Sequence, residues 1–140
     1  MIAKILAAAA CCLLAVIAAS ISSAQSEGEV LFGLYCASCH GSDARGGGPV
    51  AGELKNPPPS LREIAKHRGG AFNEPEIISY IDGRKMPRAH GSSEMPVWGT
   101  MFGYVAEAGK LLDPSQQPSE EKVEHTIISI VRYLASIQDL

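Results

Sequence analysis

The chain has 140 residues, room for one compact domain but not for two. Its formal net charge of −3 excludes the strongly basic surface of a nucleic-acid binder. Of its four Cys, Cys11 and Cys12 fall in an apolar N-terminal stretch, and Cys36 and Cys39 stand close together beyond it.

The N-terminal stretch has the layout of an export signal. Lys4 gives the positive start and Ile5 to Ile21 is apolar except for Ser20. Ser22-Ser23-Ala24 then puts small residues at the −3 and −1 positions of a cleavage site. This predicts a signal peptide over 1–24 and a mature domain over 25–140. The other reading is an uncleaved anchor, since the apolar run is near the ~17-residue lower limit for crossing a bilayer; membrane association is expected only in that case. A lipoprotein reading at Cys11 is disfavoured, because Ala8-Ala9-Ala10 lacks the usual leucine and the apolar run continues past it. Every version exports the domain, to the periplasm of a bacterium. Loss of the leader removes Lys4 and leaves eleven Lys plus Arg against fifteen Asp plus Glu, a charge of −4.

The mature chain opens with a short helix. Ser26 is a suitable N-cap with Glu29 as capping-box partner, and Val30, Leu31, Leu34 and Tyr35 supply an apolar side. The helix runs into Cys36-Ala37-Ser38-Cys39-His40, two thiols three residues apart with a histidine directly after the second. This is the attachment sequence for one covalently bound haem c. Each Cys can add across one vinyl group as a thioether, and His40 then reaches the iron as proximal ligand. A disulfide or redox dithiol is the alternative. A zinc site would need a second ligand pair of similar spacing, and none follows.

Residues 41–49, Gly-Ser-Asp-Ala-Arg-Gly-Gly-Gly-Pro, form a loop with almost no helix-forming power, able to lay its backbone close to a haem edge or to stay a simple surface loop. Asn56-Pro57-Pro58-Pro59 is stiff and extended. Ser60 with Glu63 reads as a second capping box, starting a helix from Leu61 to about His67 that Gly69-Gly70 ends. Asn73 caps a further helix, with Pro75 in its first turn, Gly83 just past its end, and Ile77, Ile78 and Ile81 on its buried side. Residues 84–109 read as irregular, rich in Gly and Pro. The longest helix starts at Pro118-Ser119, where Glu120 and Glu121 suit its positive end. Val123, Ile127, Ile130, Leu134 and Ile137 form its apolar face, widened by Ile128 and Val131. No segment alternates with period two, so the fold class is all-α.

A second iron ligand must be a thioether or an imidazole: Met86, Met95, Met101, His67, His90 or His125. His67 and His125 read as solvated and Met101, beside Phe102, as core. Met86 and Met95 both precede Pro, which holds them extended. Met86 lies between Lys85 and Arg88, whereas Met95 leads into Val97 and Trp98, which can seal an apolar pocket. Met95 is therefore preferred, with Met86 and His90 left open.

The chain resembles a class I cytochrome c, the bacterial monohaem, His/Met-ligated type, over nearly all of its mature sequence. Gly28, Phe32, Cys36, Cys39 and His40 match the family's first helix and attachment motif. Ile130, Tyr133 and Leu134 resemble its crossing partner on the last helix. Met95-Pro96-Val97-Trp98-Gly99 resembles its axial-methionine loop. The resemblance implies N- and C-terminal helices crossing over a haem, close at Gly28, with short helices and long loops between. It implies His40 and Met95 as iron ligands and a Pro carbonyl holding the His40 imidazole. Pro59 and Leu61 match the family's Pro and haem-facing Leu in spacing, with Pro57 and Pro58 as alternatives. Trp98 either donates its indole N–H to a haem propionate or only packs, and Arg45 and Arg84 are propionate candidates.

With both axial positions filled, the expected function is a monomeric electron carrier cycling between Fe(II) and Fe(III). It would exchange electrons with a donor and an acceptor protein, with Arg84, Lys85, Arg88 and His90 as a basic docking patch. Two alternatives stand beside it. One is a cytochrome subunit of a periplasmic dehydrogenase or oxidase complex, docking through residues 101–118. The other is a five-coordinate haem sensor or peroxidase-like protein if Met95 is no ligand.

Overall fold

The structure, a computed structural model, describes residues 27–85, 95–112 and 120–139. The leader, the Ser26 cap, Met86, Arg88, His90 and the Pro118-Ser119 helix start lie outside these residues. Helix α1 covers residues 27–35. It is followed by α2 (Ala37–His40), α3 (Ile64–His67), α4 (Glu74–Asp82), α5 (Trp98–Leu112) and α6 (Glu120–Ser136), with 3₁₀ turns at Ala51–Glu53 and Leu61–Glu63. Among the described residues there is no strand, and the all-α expectation holds. Nor is any helix among them long and apolar enough to cross a membrane.

Helix α6 is the axis on which α1, α4 and α5 pack. Val123, Ile127, Ile130, Val131 and Leu134 are buried along it, the stripe a 3.6-residue period produces. Helices α4 and α5 lie against it and against each other. Helix α1 crosses it closely. A Cβ on Gly28 would run into the Ser129 carbonyl oxygen and come within 2.8 Å of the Tyr133 Cβ, so the crossing admits only glycine. One turn on, Phe32 is buried against Tyr133 with ring centroids 5.5 Å apart. The expected crossing of first and last helices is present.

Helix α4 forms as its sequence predicts. Asn73 Oδ1 accepts from the Glu76 N–H at 3.4 Å, Pro75 sits in the first turn, and Gly83 closes the end at φ 67°. Ile77 and Ile81 are its buried residues.

Two expectations are corrected. Ser60 starts its helical segment without a side-chain cap bond, and its hydroxyl is buried without a partner. The segment is accordingly a 3₁₀ turn followed by one α-helical turn. The larger correction is α5. Residues 98–112 are helical where an irregular stretch was expected. Gly99, Gly103 and Gly109 each lower helix propensity by about 1 kcal/mol, but Trp98 and Phe102, four apart, have partners to pack on. Tyr35 at the end of α1 meets both rings edge-on, at 5.7 Å and 5.1 Å. Tertiary burial outweighs local propensity here. Met101, expected in the core, is 45 % exposed on the outer side of this helix.

Candidate functional site

Cys36 lies at the junction of α1 and α2. Its N–H donates to the Phe32 carbonyl at 2.8 Å, and its own carbonyl accepts from the His40 N–H at 2.9 Å. The helical turn places Cys36 and Cys39 three positions apart and therefore on one face. The glycine loop is packed tightly behind α2. A Cβ on Gly48 would come within 2.6 Å of the Ala37 carbonyl oxygen, and one on Gly46 would strike the Pro58 carbonyl oxygen. These glycines serve backbone-to-backbone contact between the loop, the attachment turn and the proline run.

In front of α2 opens a cavity of about 480 Å³. This is within the ~300–1,000 Å³ range of small-molecule and cofactor sites. Cys36, Cys39 and His40 line it from α2. Pro57, Pro58, Pro59 and Leu61 line it from the proline strap, Ile77 and Ile81 from α4, Met95 and Trp98 from the entry to α5, and Ile130 and Leu134 from α6. Cys36, Cys39, His40, Pro59, Leu61, Met95 and Trp98 thus border one space, whereas the propionate candidates Arg45 and Arg84 do not line it. Met95 lies at its exposed rim, 43 % accessible.

The electrostatics suit a buried, uncharged donor set. Both thiols are free. Burial first, and then the neighbouring Cys39, push the Cys36 thiol up to about 12. A redox dithiol is favoured by the opposite, a thiolate stabilised near neutral pH. Burial lowers the His40 pKa, which keeps its imidazole neutral and able to coordinate. The Pro59 carbonyl pulls the other way. Yet Nδ1 is buried without a completed hydrogen bond, so that contact falls short of good geometry. Among the described residues no three His, Cys, Asp or Glu side chains cluster to hold a bare metal ion. An apolar cavity with two thiols on one wall, a neutral imidazole and a thioether on the rim fits a covalently bound haem.

Other predicted roles are corrected or redistributed. Arg84 is not a free cation. Its Nε donates to Asp82 at 2.6 Å, its guanidinium also bonds Glu120 at 2.9 Å, and these two contacts hold its pKa above the usual value. It ties the end of α4 to the start of α6 and is engaged there instead of in a docking patch or a propionate site. Arg45 is likewise paired, with Asp139 at 3.0 Å. His125 is exposed as expected, with Glu27 its nearest acid at 3.8 Å. His67 is exposed but borders the cavity, as do Tyr35, Ile64, Arg68 and Tyr80, which the sequence reading did not assign to the site. The apolar stripes of α1 and α4 contained the signal for Tyr35 and the isoleucines. Nothing in the local sequence marks Tyr80 or Arg68.

A family model described as Cytochrome c matches residues 25–119. A search of curated proteins and one of solved structures gave no match. The matched span covers most of the chain and includes the attachment turn, the proline strap and the methionine at the rim. Members of that family bind haem c covalently and work in haem-based electron transfer. On the match and the fold together, the chain belongs to the cytochrome c family.

Proposed function

We propose that this protein is an exported, monohaem cytochrome of the class I, His/Met-ligated type that carries single electrons between a donor and an acceptor protein. The observation that carries this reading is the convergence of Cys36, Cys39, His40 and Met95 on one apolar cavity. Haem, when bound, supplies one-electron Fe(II)/Fe(III) chemistry. Cys36 and Cys39 would hold it through thioethers. His40 would present a neutral ring nitrogen as the first axial donor and Met95 its sulfur as the second. A thioether donor favours ferrous iron and a higher reduction potential. Pro59 would orient the imidazole from behind, while Leu61 and Trp98 close the walls against water. With both donors to the iron supplied by the chain, no position would be left for oxygen or peroxide, and the reading is a carrier and not an enzyme. The leader over 1–24 supports a periplasmic setting, to be checked by cell fractionation.

Met95→Ala tests the ligand set. The expected result is loss of the thioether–iron charge-transfer band and a gain of carbon monoxide binding without denaturation. A spectrum identical to wild type would mean that Met95 is no ligand: a retained charge-transfer band would then point to Met86, and a high-spin wild-type spectrum with carbon monoxide binding to the five-coordinate sensor or peroxidase-like reading.

A specific observation favours a second reading, a subunit of a periplasmic oxidoreductase complex. The outer face of α5 shows Met101, Tyr104 and Val105 to solvent, and Val30 and Leu34 are exposed on α1. Met101, Tyr104 and Val105 share one face of α5 by their spacing, and apolar exposure on one face marks an interaction surface. Under this reading, Tyr104→Glu leaves the haem spectrum unchanged and releases a larger protein that co-purifies with the wild type. If the wild type migrates alone, the diffusing carrier stands.

A further inference from the structure

Just past the end of α6, Gln138 and Asp139 turn back onto the segment that carries the proximal wall of the cavity. Gln138 Nε2 donates to the Leu61 carbonyl and to the Leu134 carbonyl, each at 2.8 Å, and its Oε1 accepts from the Ala65 N–H at 2.9 Å. The Asp139 N–H donates to the Arg62 carbonyl at 2.7 Å. Its carboxylate accepts from Arg62 Nε at 2.9 Å and from Arg45 at 3.0 Å. On the other side, the Leu61 N–H donates to the Ala44 carbonyl at 2.8 Å, and the Pro58 carbonyl rests against Gly46. Both backbone groups of Leu61 are thus held, two residues from the Pro59 carbonyl. Arg45 and Arg62 fasten the glycine loop and the strap to the same carboxylate. Pro59 itself has no N–H with which to fix its own position.

We infer that Gln138 and Asp139 are positioning residues for the iron site: they form a clasp that sets how closely the Pro59 carbonyl approaches the His40 imidazole. The inference rests on the proposed haem ligation by His40. A hydrogen-bond acceptor behind a ligating imidazole raises the donor strength of the ring and favours the more highly charged metal. Haem ligation would draw the His40 Nδ1 bond to Pro59 to completion, and a loosened clasp would leave the carbonyl too far back, weakening that push and favouring Fe(II).

The test uses the holoprotein and three variants: Gln138→Ala, Asp139→Asn and, as a control on the exposed side of α6, Glu124→Gln. Asp139→Asn keeps the size and the backbone bond, so it remains informative if Gln138→Ala folds poorly. The expected result is that both clasp variants retain the wild-type optical spectrum while their Fe(III)/Fe(II) equilibrium shifts several-fold toward Fe(II). The upper limit is about tenfold, or 59 mV for a one-electron couple. The signal of the His40 ring N–H proton in nuclear magnetic resonance moves with it, and the control stays at the wild-type potential. Lowered thermal stability with unchanged potential and ring-proton signal would make the clasp merely structural and overturn the inference while leaving the haem reading intact. Wild-type protein without covalent haem would overturn both.

Discussion

Ser60 and Asn73 carry the same local signal, a polar cap with Glu three residues on, and the structure treats them differently. Asn73 closes the cap bond. Ser60 does not, because its hydroxyl is turned into a buried position with no partner. An unsatisfied buried hydroxyl costs free energy, so Ser60→Ala should leave stability unchanged or raise it slightly, measured by urea unfolding. A capping serine would lose about 1 kcal/mol on the same substitution. Gly28 gives the reverse case. Its missing side chain is what lets α1 meet Ser129, and Gly28→Ala should cost about 1–3 kcal/mol in the same assay through overpacking. The attachment turn was legible from the sequence because its chemistry demands given residue types at one spacing, whereas the role of Gly28 was implied only by the resemblance to the family. Tyr35, Arg68 and Tyr80 were not legible, because their place beside the cavity is set by folding and not by neighbours in the chain.

At the scale of elements, α4 could be read from capping and period and α6 from period; α1 is helical as expected, but Val30 and Leu34 of its expected apolar side are exposed, and α5 could not be read at all. Its three glycines argue against a helix locally, and only the ring cluster of Tyr35, Trp98 and Phe102, which closes in three dimensions, decides the matter. The same step hid the role of Arg84. It joins α4 to α6 over Gly99, where a Cβ would press to 2.9 Å from the Arg84 Cδ. Gly99→Ala should therefore loosen the Asp82–Arg84 pair, offsetting the gain of about 1 kcal/mol in helix propensity, so that the thermal midpoint stays close to that of the wild type. The network also sets an acid response. The hydrogen bond from Arg84 holds the Asp82 and Glu120 carboxyls below their ordinary values of 3.8 and 4.5. Depressed carboxylate pKa values give stability that is fully present above the ordinary values and is lost as pH falls below them. Urea midpoints followed with pH should show wild type and Arg84→Gln differing by a constant amount above about pH 5 and converging at lower pH. A gap that widened as pH fell would contradict this assignment.

For the whole molecule, the helical class and a cofactor-sized space beside the attachment turn were foreseeable from that turn, the length and the absence of period-two patterning. The surface was not. The expected basic patch loses Arg84 to its two carboxylate partners, and α5 shows Met101, Tyr104 and Val105 outward beside Thr100 and Glu107. Association with redox partners should accordingly depend more on Tyr104 and Val105 than on Arg84. Arg84→Gln should change stability while leaving the salt dependence of electron transfer as it is in the wild type.

The central claim is that the cavity facing α2 holds one haem through Cys36 and Cys39. The most direct measurement is the intact mass, under denaturing conditions, of protein produced in a host that matures c-type cytochromes. The account predicts the polypeptide plus a single haem that resists acid extraction. A bare polypeptide mass would contradict it.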